Sequence, residues 1–198
     1  MIKTFPLFYL FFISSALLAQ EDQFDLKIRK TQEPIADIKY TGYITDFDIP
    51  KADLQRIWWK YSKSIGVVEN MKTHYTVKIP AREKGYSSVS VIQKAKGNSK
   101  SSQLFLAIMD QTNNAYKAQI ADLLLEFKVS YYADLMESKI VRKENELSDV
   151  SMRYQNLLLQ SGKGEAKIPE DQEKEYLENI STLAYELEML KRKLNQIK

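Results

Sequence analysis

The fold of the C-terminal third is decided by residues 136–157, which read MESKIVRKENELSDVSMRYQNL. Positions separated by alternating steps of four and three residues are apolar there, with the exception of Lys143. This first seam consists of Met136, Ile140, Lys143, Leu147, Val150, Tyr154 and Leu157. Two such positions in every seven residues predict a helix that packs as a coiled coil.

A second seam with the same steps lies in residues 176–197, which read YLENISTLAYELEMLKRKLNQI. A polar stretch with Gly and Pro, residues 161–171, separates the two. The second seam consists of Tyr176, Ile180, Leu183, Leu187, Leu190, Leu194 and Ile197. Equal lengths and an intervening loop predict that residues 136–198 form an antiparallel coiled-coil helical hairpin, called the hairpin below.

The two seams also predict a register. If Leu157 faces Tyr176 and Met136 faces Ile197, the position numbers of all seven facing pairs sum to 333 or 334. Lys143 then faces Leu190, and its aliphatic stem can lie along the seam while its ammonium reaches water. Two alternatives stay open: an ordinary pair of packed helices within one globule, and pairing of the same seams between molecules.

The N-terminus, MIKTFPLFYLFFISSALLA over residues 1–19, has the parts of a secretory signal peptide. Lys3 precedes an apolar run of 14 residues, Phe5 to Leu18. A membrane-spanning helix needs about 20 residues, so we expect cleavage after Ala19 and no span in the mature chain. The expected location is extracytoplasmic, either periplasmic or secreted.

The residues between signal and hairpin divide into two parts. Residues 20–34 show no apolar periodicity and are predicted to be a mobile lead-in. Residues 35–135 are predicted to form an α+β domain with one sheet in the order β-α-β-β-β-α, since alternating segments flank an amphipathic helix between Pro50 and Gly66. The predicted strands lie in residues 37–46, 67–79, 86–96 and 103–109, and a long helix follows from residue 114.

The composition excludes several classes of catalytic and metal-binding site. The 198 residues contain no Cys and one His, which excludes disulfides, thiol nucleophiles and Cys-ligated zinc or iron–sulfur centres. His74 lies on a Lys-rich strand face, and no Gly-x-Ser-x-Gly motif is present. Asp46 and Asp48 precede the helix that begins near Pro50, where carboxylates favour the free N–H groups. We therefore predict no catalytic residues, no cofactor, no metal and no enzymatic activity.

Charge is unevenly distributed. Residues 20–128 carry 17 Lys and Arg against 13 Asp and Glu, or +4, whereas residues 129–198 carry 11 against 13, or −2. One predicted sheet face combines aromatic and apolar side chains with lysines nearby (Lys72, Lys78, Lys94 and Lys96). Its candidate partner-binding residues are Tyr43, His74, Phe105 and Met109. Such a face suits an anionic envelope polymer, a glycan or a small ligand, and export argues against nucleic acid.

Together these features predict a non-catalytic exported interaction or adaptor protein. Its coiled-coil arm, the hairpin, would dock a protein partner or mediate self-association through the edges of the seam. The alternative function is a binding module that holds an anionic envelope component on its sheet face.

Overall fold

The computed structural model describes residues 24–72, 74–81, 88–112, 116–162 and 167–197, apart from the side chain of residue 118. The predicted signal peptide, residues 1–19, lies outside the described residues, as do residues 20–23 of the predicted lead-in.

The described chain contains one six-stranded sheet in the order β1-β2-β6-β5-β4-β3, with every neighbouring pair antiparallel. The strands are β1 (Arg29–Ile35), β2 (Ile38–Phe47), β3 (Val67–Asn70), β4 (Tyr75–Ile79), β5 (Val89–Gly97) and β6 (Ser102–Ile108). The predicted α+β class is therefore confirmed. The last four strands form the antiparallel meander that short alternating segments joined by turns favour.

Two parts of the sheet differ from the prediction. Part of the predicted lead-in forms β1, which pairs along its whole length with β2. The residues RKTQEP show no alternation of apolar and polar side chains, because β1 is an edge strand, where charged residues and Pro are tolerated. The predicted strand over residues 67–79 is divided into β3 and β4, since Lys72 adopts a positive φ of 68° and Met71 N–H donates to the carbonyl of His74.

One face of the sheet is covered by two helices, α1 (Lys51–Ile65) and α2 (Lys117–Gly162). Aromatic rings form the centre of this layer: Trp58 and Phe127 meet edge-to-face at 4.9 Å, and Phe47 lies 5.6 Å from Phe127. Aromatic side chains typically bury about 150–250 Å² each, so these rings contribute much of the energy of the core. The fully or nearly fully buried members are Phe47, Leu54, Trp58, Val77, Ile79, Val91, Leu104, Leu106, Ile108, Ile120, Leu123, Leu124 and Phe127.

The opposite face of the sheet carries a second, smaller apolar cluster of Ile35, Tyr40, Ile44, Ile92, Phe105 and Ala107. Lys94 on β5 donates to the backbone carbonyl of Pro34 on β1 at 3.0 Å, and Lys96 pairs with Glu33. Strands β1 and β5 are three positions apart in the sheet, about 14 Å if it were flat. The sheet therefore curls toward this face, which explains the apolar residues on both sides of β6.

The chain ends with α3 (Glu170–Ile197), which packs antiparallel against the second half of α2. The sheet domain is thus followed by a helical hairpin, as predicted.

Candidate interaction surface

Helix α2 changes partner along its length. Its first part packs against the sheet through residues such as Phe127, whereas Met136 begins the seam with α3. These two residues are nine positions apart, which at 100° per residue places them on opposite sides of the helix. Helix α3 therefore lies on the side of α2 that faces away from the sheet. The paired part of α2, residues 136–162, is about 40 Å long.

The seam is buried less completely than the sheet core. Four of its residues, Met136, Ile140, Leu183 and Ile197, are buried, whereas the others are partly exposed. Two helices can cover only one stripe of each other, so solvent reaches both edges of the seam. Apolar surface consequently remains accessible along the hairpin.

Polar contacts within the seam define how the helices align. Lys143 donates to carboxylate oxygens of Glu146 and Glu186, both at 2.8 Å. The ring of Tyr154 stacks on Tyr176 with centroids 5.8 Å apart, and its hydroxyl donates to Glu173 at 3.0 Å. These contacts confirm the antiparallel direction.

Two of these contacts lie one helical turn from the predicted pairs. Tyr154 was predicted to face Ile180 but stacks on Tyr176, and Lys143 was predicted to face Leu190 but bridges to Glu186. The ion pair between Lys191 and Glu144 at 2.8 Å, by contrast, joins positions that are neighbours of the predicted pair Lys143 and Leu190. Long side chains reach one helical turn along the seam, so these contacts establish the antiparallel direction, and the register of the seven pairs stays a prediction.

The same contacts shift ionisation equilibria. Hydrogen bonds to Glu146 and Glu186 raise the pKa of Lys143, and the hydrogen bond from Lys143 lowers the pKa of Glu146. The hydrogen bond to Glu173 raises the pKa of Tyr154. The seam therefore holds the Lys143 ammonium between the side chains of Glu146 and Glu186.

Three exposed apolar residues lie on the side of α2 opposite the seam, separated by polar residues such as Ser148. These residues are Val141, Met152 and Leu159, which are 55%, 52% and 63% exposed. Their separations of 11 and 7 residues place them on one helix face. We call these three residues the outer stripe. The outer stripe was not predicted from the sequence, because the stronger periodicity of the seam accounts for most of the apolar residues of this helix segment. On α3, Tyr185 is likewise exposed on the side away from the seam.

The four candidate partner-binding residues of the sheet do not share one face. Tyr43 packs against the helix-covered core, whereas Phe105 is fully buried in the small cluster on the opposite face. Met109 is exposed just after β6, and His74 lies before β4 with a pKa lowered by partial burial. Tyr43 is the register partner of Leu106 on β6. Because successive residues of a strand point to opposite faces, Phe105 lies on the face opposite Tyr43.

The lysines predicted to lie near those residues are partly engaged within the chain. Lys94 and Lys96 reach the carbonyl of Pro34 and the carboxylate of Glu33, as described above. These contacts reduce the charge that the curled face offers to an anionic ligand.

A buried lysine is the main polar feature that the sequence analysis missed. Lys128 on α2 has no exposed surface, and its ammonium donates to the Thr45 hydroxyl at 2.7 Å. The Asp25 carboxylate lies 3.8 Å from it, and the Phe47 ring centroid 5.5 Å. The Thr45 hydroxyl in turn donates to the carbonyl of Lys27 at 2.8 Å. Nothing in the local sequence distinguishes Lys128 from a surface lysine, because its burial depends on residues far away in the chain.

Burial lowers the pKa of Lys128, and the nearby carboxylates, Asp25 first, partly oppose that shift. Burial also raises the pKa of Tyr132 to about 12 and that of Tyr131 above 10. The aromatic neighbours extend this site, since Phe24 packs on Tyr132 with ring centroids 5.0 Å apart. The N-terminal part of the described chain is thus attached to α2 by both charge and aromatic contacts.

Among the described residues, no group of three or more acidic or His side chains is arranged to hold a metal ion. In the same part of the chain, no helix has the length and apolar composition needed to cross a bilayer. Comparisons with family models, curated proteins and solved structures gave no match to this chain.

Proposed function

We propose that this chain is a non-catalytic, exported interaction protein whose hairpin docks a protein partner. The observation that carries the proposal is the accessible apolar surface of the hairpin, on the outer stripe and along the partly exposed edges of the seam. Exposed apolar side chains that recur on one face of a long helix characterise helix-mediated recognition.

The distribution of charge supports the same proposal. The hairpin segment is slightly acidic and the preceding domain is basic, so the two parts present different electrostatic surfaces to a partner. The sheet domain would then position the hairpin, because one continuous helix, α2, belongs to both. Export would follow from residues 1–19, as the sequence analysis predicts.

The alternative function, an anionic-ligand module on the sheet face, has weaker support. The curled face does carry Lys94 and Lys96, but both already contact groups of β1. Tyr43 and Phe105 lie on opposite faces and cannot contact the same ligand surface.

The test uses two variants of the full chain, expressed at their natural location and captured with their neighbours after brief chemical cross-linking. The first replaces the outer stripe with serine: Val141→Ser, Met152→Ser and Leu159→Ser. The matched control replaces exposed apolar residues of the sheet domain, Ile38→Ser and Val67→Ser, which are 55% and 64% exposed. Both variants should retain the helical and sheet content of the unmodified chain.

We expect the outer-stripe variant to lose at least tenfold of the captured protein partner and the control to keep it. Retention by the first variant together with loss by the control would contradict the proposal. Binding of a purified anionic envelope polymer to the unmodified chain, unchanged in the outer-stripe variant, would instead favour the alternative.

A further inference from the structure

The first described segment, residues 24–35, is joined to the rest of the domain by a strained turn. Strand β1 ends at Ile35, β2 begins at Ile38, and these two residues are register partners. The two turn residues, Ala36 and Asp37, adopt positive φ angles of 47° and 66°. A two-residue turn of this kind favours Asn-Gly, and a Cβ atom destabilises the left-handed conformation at Ala36.

The contacts that hold residues 24–35 in place are made with later parts of the chain. Asp25 pairs with Lys128, and Arg29 pairs with Asp46 at 2.5 Å. The remaining contacts include Phe24 with Tyr132, the Lys27 carbonyl with Thr45, Glu33 with Lys96 and the whole β1–β2 ladder. Because none of these contacts involves the turn itself, the same segment of a second copy would satisfy each of them equally well.

The receiving surface is specific for this segment. It has three features, each of which contacts one part of the segment. The edge of β2 pairs with β1, the buried ammonium of Lys128 pairs with Asp25, and the ring of Tyr132 packs on Phe24. A buried lysine whose counter-charge is removed is strongly destabilising, so the surface must be occupied.

We propose that residues 24–35 exchange between two copies of this chain, with Ala36 and Asp37 as the hinge. In the exchanged dimer the hinge residues become extended, and β1 and β2 of each copy form one long strand that runs antiparallel to its counterpart. The strained turn is relieved in both copies, and the closed two-fold symmetry limits the assembly to a dimer. This proposal does not depend on the hairpin or on its partner.

The test uses two single-cysteine variants, since the unmodified chain contains no Cys. Gln32 and Thr41 are register partners on β1 and β2, with side-chain amide and hydroxyl 3.3 Å apart. The variants Gln32→Cys and Thr41→Cys, one of them carrying a mass tag, are unfolded together, refolded at high concentration and oxidised. Covalent dimers are then resolved under non-reducing conditions.

We expect a disulfide between the two variants and none when either variant is refolded alone. In the exchanged dimer, residue 32 of one copy lies opposite residue 41 of the other, but the two copies of residue 32 are nine positions apart along the strands, about 30 Å. A disulfide requires Cα atoms within about 7 Å. The proposal is overturned if the mixture of the two variants gives no more covalent dimer than either variant refolded alone.

The hinge is tested separately by introducing Ala36→Asn and Asp37→Gly into both cysteine variants. Asn-Gly suits the turn, so we expect the mixed disulfide yield to fall about tenfold while the thermal unfolding of the monomer is retained or improved. Light scattering of the unmodified chain, refolded at rising concentration, should show a dimer that the Asn-Gly variant lacks. An unchanged yield in the Asn-Gly variant overturns the assignment of the hinge.

Discussion

The sheet domain and the hairpin are both built on apolar stripes, but they bury them to different extents. In the domain, helices cover one face of the sheet and a second cluster lies on the other, so residues such as Leu104 and Phe105 are fully buried. In the hairpin, two helices cover only each other, and seam residues such as Leu187 remain partly exposed. The number of elements that cover an apolar stripe, rather than the number of its apolar residues, therefore determines how much the stripe stabilises the folded state.

The largest expected effect contrasts one truncation in each region. Phe127→Ala removes a ring that contacts Phe47, Trp58 and Tyr61, and we expect it to lower the free energy of unfolding by about 3–5 kcal/mol. Leu187→Ala in the partly exposed seam should lower the free energy of unfolding by about 1–2 kcal/mol, because less buried surface is lost. Urea unfolding of the full chain measures both, and equal losses would contradict the comparison.

The next effect concerns the buried charge of the domain. Lys128→Met keeps the volume and removes the cost of burying an ammonium, so we expect the free energy of unfolding to rise by about 1–3 kcal/mol. The matched variant Asp25→Asn keeps the buried charge but removes its counter-charge and should destabilise the chain. Chemical denaturation measures the free energy of unfolding of both variants. A change of the same sign in both would contradict the expected cost of burying the Lys128 ammonium.

The same site predicts an alkaline pH dependence. The pKa of Lys128 is lowered below 10.5, so the unfolded chain binds more protons than the folded one, and stability rises as pH increases toward that value. The pKa of Tyr132 is raised from 10 to about 12, so its contribution is lost between those pH values. We expect the melting temperature to be highest near pH 10.

Two variants separate these contributions. Lys128→Met should remove the rise below pH 10, whereas Tyr132→Phe should weaken the fall above it. Melting curves recorded between pH 8 and pH 12 provide the measurement. A profile that neither variant changes would assign the dependence to other groups.

The smallest effect concerns the hairpin. Lys143→Leu makes the seam fully apolar, so we expect a small rise in melting temperature and a less specific register, because the contacts with Glu146 and Glu186 are lost. Disulfide trapping between cysteines on α2 and α3 would then give bridges in more than one register. Glu186→Gln keeps a hydrogen-bond acceptor and provides the control. A single register in the Lys143→Leu variant would show that the ring stack of Tyr154 and Tyr176 is sufficient.

Some of the fold was predictable because its pattern is local. The spacing of the two seams identified the hairpin, and alternation with turn residues located β2, β5 and β6 to within a few residues. Strand β1 was not predictable, since an edge strand with charges and Pro has no pattern of its own. The helical hairpin was predicted, whereas the assumed common face of Tyr43 and Phe105 was wrong because successive residues of a strand point to opposite faces.

Periodicity among neighbouring residues was sufficient to predict the α+β class and the antiparallel hairpin. The sequence by itself also determined the absence of thiol chemistry, because no Cys is present. The tertiary structure was needed to show that β1 completes the sheet and that Lys128 is buried against Thr45 and Asp25. Each of these depends on contacts between residues distant in the chain, which neither composition nor spacing encodes.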